Sequence, residues 1–111
     1  MCVALTGPNI RDKHLRMHEV LVPTLSTIQD NLRPGKKMGE IYDLYVDLLS
    51  NKGMSDLAQT ACGYTMGAVW PPTWMEQPLF YSGNPTVIEK DMTFFNILIL
   101  NDYKVRMIMA L

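Results

Sequence analysis

The sequence predicts an α+β protein in which two helices pack on an antiparallel sheet. Three observations carry that expectation. Two apolar stripes at helical spacing fill the first half of the chain, and short extended apolar runs fill the second. Clusters of glycine and proline separate the segments, in the order strand, helix, helix, then strands.

Residues 1–5 form a short apolar run closed by Thr6-Gly7-Pro8-Asn9, which reads as the stub of a strand ended by a turn. Asp12 is then placed to cap a helix. Met17, Leu21, Leu25, Ile28 and Leu32 follow at steps of four, four, three and four, along one helix face. Pro23 lies inside that stripe and lacks a backbone N–H, so a kink or a break is expected there. Arg33-Pro34-Gly35 terminates the helix.

A second helix carries Ile41, Leu44, Tyr45, Leu48 and Leu49 on one stripe, with Glu40, Asp43 and Asp47 off it. Glu40 sits in the first turn, where a negative charge suits the helix dipole. Lys36, Lys37 and Met38 are poor caps, so the sequence marks the start weakly. Asn51-Lys52-Gly53 supplies a cation and a glycine at the end, in the expected order.

After Gly53 the pattern becomes extended. Residues 61–69 form an expected strand, and Pro71-Pro72 then removes two successive donors, so neither helix nor sheet continues. Trp70, Trp74 and Glu76 are thereby carried on a stiff loop beside a strand end, where binding residues often sit. Tyr81-Ser82-Gly83-Asn84-Pro85 is a further turn cluster. Residues 93–100 read as a buried strand, Asn101-Asp102 as a tight turn, and residues 104–109 as the returning strand.

At 111 residues the chain is read as a single domain with a modest core. A hydrophobic fraction of 48% and a charged fraction of 19% are those of a globular protein. The net charge of −1, with no basic run, gives no electrostatic footprint for nucleic acid. No apolar run reaches the ~20 residues that span a bilayer, and residues 1–5 are too short for a signal peptide. Cys2 and Cys62 do not make a disulfide framework and are expected to stay reduced, which points to the cytoplasm. The nine methionines are expected to fill gaps in the core and at contact surfaces.

Few residues form a chemical constellation. His14 and His18 share a helix face, but Leu15, Arg16 and Met17 lie between them and supply no acid, unlike the HExxH zinc motif. Cys62 has no histidine or cation near it in sequence to lower its pKa, and is read as a buried, inert thiol. Asp43 and Asp47 are explained by a solvated helix face. Glu76, beside Trp74 and after the rigid turn, has a more suggestive setting than Glu89.

Three blocks resemble the C-terminal part of the creatinase, aminopeptidase and prolidase family, the "pita-bread" metallopeptidases (metallopeptidase family 24). Arg33-Pro34-Gly35 with Met38-Gly39-Glu40-Ile41-Tyr42-Asp43 is similar to the "RPG…geiyda" junction between two helices. Gly63-Tyr64-Thr65-Met66-Gly67 with Pro71-Pro72-Thr73-Trp74-Met75-Glu76 resembles the "GYSIG…PPDWGE" block of the branch with ectoine hydrolases and Xaa-Pro dipeptidase-like proteins. Thr86-Val87-Ile88-Glu89-Lys90-Asp91-Met92-Thr93-Phe94 resembles "TvLepGMtFhf". The resemblance implies a partial pita-bread fold over one domain of 111 residues, shortened relative to the family.

In catalytic members of that family, two metal ions held by two aspartates, one histidine and two glutamates generate a hydroxide that attacks an amide. By this resemblance both aspartates would precede Met1. The histidine of the "GHGIG" motif falls on Tyr64, as in the ectoine-type branch. The first glutamate falls on Ile97, with Leu98 and Ile99 replacing Pro-Gly, and Phe94-Phe95-Asn96 replaces "FHF". The last glutamate falls near Met107. Apolar side chains do not hold divalent metals, so no metal or other cofactor and no catalytic residue is expected in this chain.

The resemblance also makes Tyr64, Trp74 and Glu76 candidate substrate-cleft residues. Asp91 stands where the family has glycine, and would be strained if the turn requires positive φ. Two functions follow as expectations. One is a degenerate, catalytically inactive relative that pairs with a second copy or with a full-length relative. The other is a metal-dependent amide hydrolase of Xaa-Pro dipeptidase or ectoine hydrolase type, or part of one.

Overall fold

Met17, Leu21 and Ile28 are fully buried along one unbroken helix, α1 (Asp12–Asn31), in a computed structural model that describes residues 9, 11–67, 72 and 75–111. Arg11 occupies the cap position, and Asp12 is the first helical residue instead. Pro23 does not break the helix. Its missing N–H leaves the Glu19 carbonyl without an intrahelical partner, but Glu19 and Pro23 both lie on the exposed face, open to water. Burying three large apolar side chains contributes about 1.5–3 kcal/mol each, against a penalty of about 3 kcal/mol for an interior proline.

The second helix, α2 (Met38–Ser50), buries Ile41, Tyr45 and Leu49. Its start is fixed from outside the helix. The Met38 N–H donates to the Thr86 carbonyl at 2.9 Å and the Gly39 N–H to the Asn84 carbonyl at 3.0 Å. Two first-turn donors that the sequence leaves uncapped are satisfied by a loop more than forty residues away. Glu40 contributes locally, accepting from the Lys37 N–H at 3.4 Å. At the other end Gly53 adopts φ +66°, and the Met54 N–H reaches back to the Leu49 carbonyl at 3.0 Å.

A 3-10 turn (Ser55–Leu57) leads into β1 (Gly63–Thr65), β2 (Glu76–Leu79), β3 (Phe94–Asn96), β4 (Ile99–Asp102) and β5 (Met107–Ala110). β1 lies between β2 and β3, and β4 pairs with β5, all antiparallel. The break between β3 and β4 joins the two sheets. The Ile97 N–H donates to the Cys62 carbonyl on one side, while Leu98 and Leu111 exchange both backbone bonds on the other, at 2.9 Å each. The fold is therefore two helices packed against antiparallel sheets, as the sequence predicts.

The core unites both helices with the sheets: Tyr45 and Leu49 from α2, Met17 and Leu21 from α1, Leu100 and Met109 from the strands, and Leu98 from the break between β3 and β4. Phe80 sits at its centre, fully buried and edge-on to Phe94 with ring centroids 5.1 Å apart. Cys62 belongs to the same cluster, and loss of hydration pushes its thiol pKa up to about 12, as expected of an inert cysteine.

Several boundaries differ from expectation. The strand expected over residues 61–69 is paired only at Gly63–Thr65, and residues 68–71, 73 and 74 lie outside the described residues, as do residues 1–8 with the expected strand stub and Cys2. Asn101 and Asp102 are the last residues of β4, not a turn. They pair with Ile108 and Met107, and the chain reverses over residues 103–106 instead. Accordingly β5 begins at Met107 rather than residue 104.

Asp91 has φ +67°, the left-handed conformation that glycine takes without penalty. Asp91→Gly is therefore expected to alter stability by a gain of up to about 1 kcal/mol, the relieved strain exceeding the added chain entropy. Urea midpoints of the two proteins would test this; a lower midpoint for the variant would show that Asp91 is not strained.

Candidate functional site

Tyr64 and Glu76 are brought onto neighbouring strands. Tyr64 is the middle residue of β1, opposite Leu79 on β2 and Phe95 on β3, and Thr65 is opposite Glu76. A bulge between Tyr64 and Thr65 shifts the register at this point. Tyr64 is buried, with its ring 5.2 Å from that of Phe95 at a tilt of 31°. Gly63 beside it is required by contact: a Cβ there would lie 2.7 Å from the Phe95 carbonyl oxygen.

Glu76 is the first residue of β2 rather than a loop residue, because its backbone pairs with Thr65 before the chain reaches Pro78. Its carboxylate lies against Gly67, where an added Cβ would come within 2.8 Å of Oε2. The third candidate, Trp74, lies outside the described residues, as does Trp70. His14 and His18 are both half-buried on α1. Among the described residues, no group of three or more His, Cys, Asp or Glu side chains is arranged to hold a metal ion.

A second cluster lies at the β4–β5 hairpin, joining residues far apart in sequence. Lys13, in the first turn of α1, forms an ion pair with Asp102 at the end of β4. The other oxygen of Asp102 accepts the N–H groups of Lys104 and Val105, at 3.0 and 3.3 Å, and so fixes the hairpin turn. A cavity of about 380 Å³ opens beside this pair, between the 3-10 turn and the hairpin. Sequence reading missed it because Asn101-Asp102 reads as a turn and Lys13 is 89 positions away. The available signal was an aspartate directly ahead of a turn, whose carboxylate commonly bonds the backbone N–H two residues on.

Hydrogen bonding from Lys13 holds the Asp102 carboxyl below its ordinary value of 3.8; the turn N–H groups assist, and desolvation opposes. A carboxylate with a depressed folded pKa contributes stability above its unfolded pKa and loses it as pH falls through the folded value. Asp102→Asn is thus expected to be less stable than the parent at neutral pH. The gap should close as pH falls from about 5 to below the folded pKa. Urea midpoints over that range check this; a pH-independent gap would mean that the charge of Asp102 contributes nothing.

With this geometry, solved structures assign the fold. Dipeptidase PepE from Mycobacterium ulcerans superposes with a TM-score of 0.75 over 95% of this chain and 27% of its own, at 17% identity. The N-terminal domain of the FACT complex subunit SPT16 from Eremothecium gossypii gives 0.72 over 91% of this chain and 24% of its own, at 22% identity. That from chickpea, Cicer arietinum, gives 0.69 over 85% and 23%, at 17% identity. The fold is pita-bread-like; at these identities the likeness extends to the fold alone. The chain spans about a quarter of the length of these structures. No protein-family model matches the sequence, and no curated protein matches it. No helix among the described residues is long and apolar enough to cross a membrane.

Proposed function

We propose that this chain is a degenerate relative of the Xaa-Pro peptidases and ectoine hydrolases, without hydrolytic activity of its own, that serves as a binding or structural module. The observation carrying this reading is the chemistry of the strand region where the sequence resemblance puts the metal-binding glutamate. Ile97 stands there, half-buried, beside the fully buried Leu98, and Tyr64 stands in the histidine position with its ring against Phe95. None of these side chains is a ligand for a hard divalent ion. Tyr64, Trp74 and Glu76 would then be remnants of a cleft, retained for packing or for binding.

Pairing with a second copy or a longer relative is supported by β5, which pairs only with β4 among the described residues. Its Ile108 is 67% exposed, the kind of apolar edge that partners cover. The fold itself is compatible with either role, since its neighbours include a dipeptidase and a domain of a complex subunit.

The likeness to the dipeptidase favours a second reading, a metal-dependent amide hydrolase or part of one. Mass-spectrometric metal content after exchange with manganese, cobalt and zinc separates the two. Near-zero stoichiometry is expected. One or two ions per chain, with turnover of an Xaa-Pro dipeptide or of ectoine, would overturn the inactive reading in favour of the hydrolase.

A further inference from the structure

One flank of the molecule carries two features left open by the described residues, and a single kind of partner covers both. The first is a stripe on α1. Met17, Leu21 and Ile28 face the core, whereas Leu15, His18, Val22, Leu25 and Gln29 recur at steps of three, four, three and four along another face. This is the spacing of a seam between two helices, and it carries no Asp, Glu, Lys or Arg. Leu15 and Val22 are 43% and 41% exposed. On an α-helix this seam lies about 180° round from Val20 and Thr27, which border the small cavity between α1 and α2. It therefore faces away from α2.

The second feature is the outer edge of β5. Leu111 exchanges both backbone bonds with Leu98. By the two-residue alternation of an antiparallel ladder, Met109 and Met107 likewise bond β4, and Ile108 and Ala110 turn their N–H and C=O groups outward. β5 has no second strand neighbour among the described residues, and Ile108 and Ala110 are both exposed. α1 packs on β5, whereas α2 packs on the 3-10 turn, which borders β4. The helix seam and the strand edge thus open on the same side, one in each layer.

An extended peptide on the edge leaves the helix seam open, and a lone helix on the seam leaves the edge unpaired. Covering both takes a strand edge and a helix seam stacked in the same two layers, which a second copy of this chain has by construction. We propose that the chain forms a two-fold dimer through this flank, with β5 pairing antiparallel to β5 and α1 lying antiparallel against α1. Across the axis Ile108 meets its own counterpart, Leu15 faces Leu25, and His18 faces Val22. Lys104 and Arg106 pair with no carboxylate among the described residues. Antiparallel pairing sets these two cationic turns at opposite ends of the joined strands, where parallel pairing would set like charges side by side. The proposal rests on the pairing reading above and adds the partner and the surfaces that meet.

The test is analytical ultracentrifugation of the intact chain from low-micromolar to submillimolar concentration, where a monomer–dimer equilibrium is expected. Ala110→Pro removes an outward N–H without touching the β4 ladder, and Val22→Glu places a charge in the helix seam. Each should weaken dimerisation by about tenfold or more. Both positions are exposed, so neither variant disturbs the core, and circular dichroism would verify that both stay folded. Hydrogen exchange should find the Ile108 and Ala110 amides protected in the dimer and unprotected in the monomer. A chain that stays monomeric overturns the proposal, as does dimerisation of both variants equal to the parent's. Protection of both amides in the monomer overturns it too, because the edge would then be taken within one copy. Each of these failures leaves the inactive-module reading standing, since metal content tests that separately.

Discussion

Truncating Phe80 to alanine is expected to lower the stability of this domain by about 3–5 kcal/mol. The ring is fully buried at the meeting point of the three-stranded sheet and the helices, edge-on to Phe94. Its backbone cannot follow a collapsing cavity, because the Phe80 N–H is bonded to the Gly63 carbonyl at 2.9 Å and its carbonyl accepts the Cys62 N–H at 3.1 Å. The void would persist and its lining would lose contacts outright. Against a total stability of about 5–15 kcal/mol for a domain, such a loss is large. Phe80→Leu keeps much of the volume and should cost about 1.5 kcal/mol or less. Urea unfolding of the two variants would measure both values. A loss below about 1 kcal/mol for Phe80→Ala would mean that the ring is not packed as described.

The second large effect has a sign that helix propensity alone gets wrong. Gly39 lies in the first turn of α2, and in an exposed helix interior alanine would be better than glycine by about 1 kcal/mol. Here a Cβ would meet Asn84 N at 2.8 Å, Asn84 O at 2.9 Å and Gly83 N at 3.0 Å. These are backbone atoms, so no rotamer change relieves the contact. The loop must move off the helix, weakening the Gly39–Asn84 and Met38–Thr86 bonds that start α2. It also disturbs the buried Asn84 side chain, which donates to the Leu79 carbonyl at 2.6 Å. Gly39→Ala is therefore expected to destabilise by about 1–3 kcal/mol, as overpacking does. An unchanged or raised urea midpoint would show that the loop yields freely.

Both effects mark where the sequence stopped being informative. The Met17, Leu21 and Ile28 stripe and the Ile41, Tyr45 and Leu49 stripe were legible because helical period alone places them on one face. Gly53 was legible as a helix end for a local reason as well, its positive φ. Pro23 was misleading only as a break: a proline on the solvated side of a well-buried helix leaves its orphan carbonyl to water. The Pro-Pro pair near Glu76 argues for a loop, whereas pairing with Thr65 resumes once that pair is passed. The composition of Asn101-Asp102 argues for a turn, but its pairing with β5 makes it a strand end and leaves the buried Asn101 side-chain carbonyl without a partner among the described residues.

By itself, then, the sequence determined the α+β class, the two helical faces, and the chain reversals at Gly53 and at the 81–85 cluster. These depend on residues within a few positions of one another. The tertiary structure decided where α2 starts, which segments are strands, and that Lys13, Asn101 and Asp102 meet at one cavity. Each of those outcomes depends on a backbone donor or a charge finding its partner across a long stretch of chain. Such partners are set by packing and are not encoded in the local pattern of either segment.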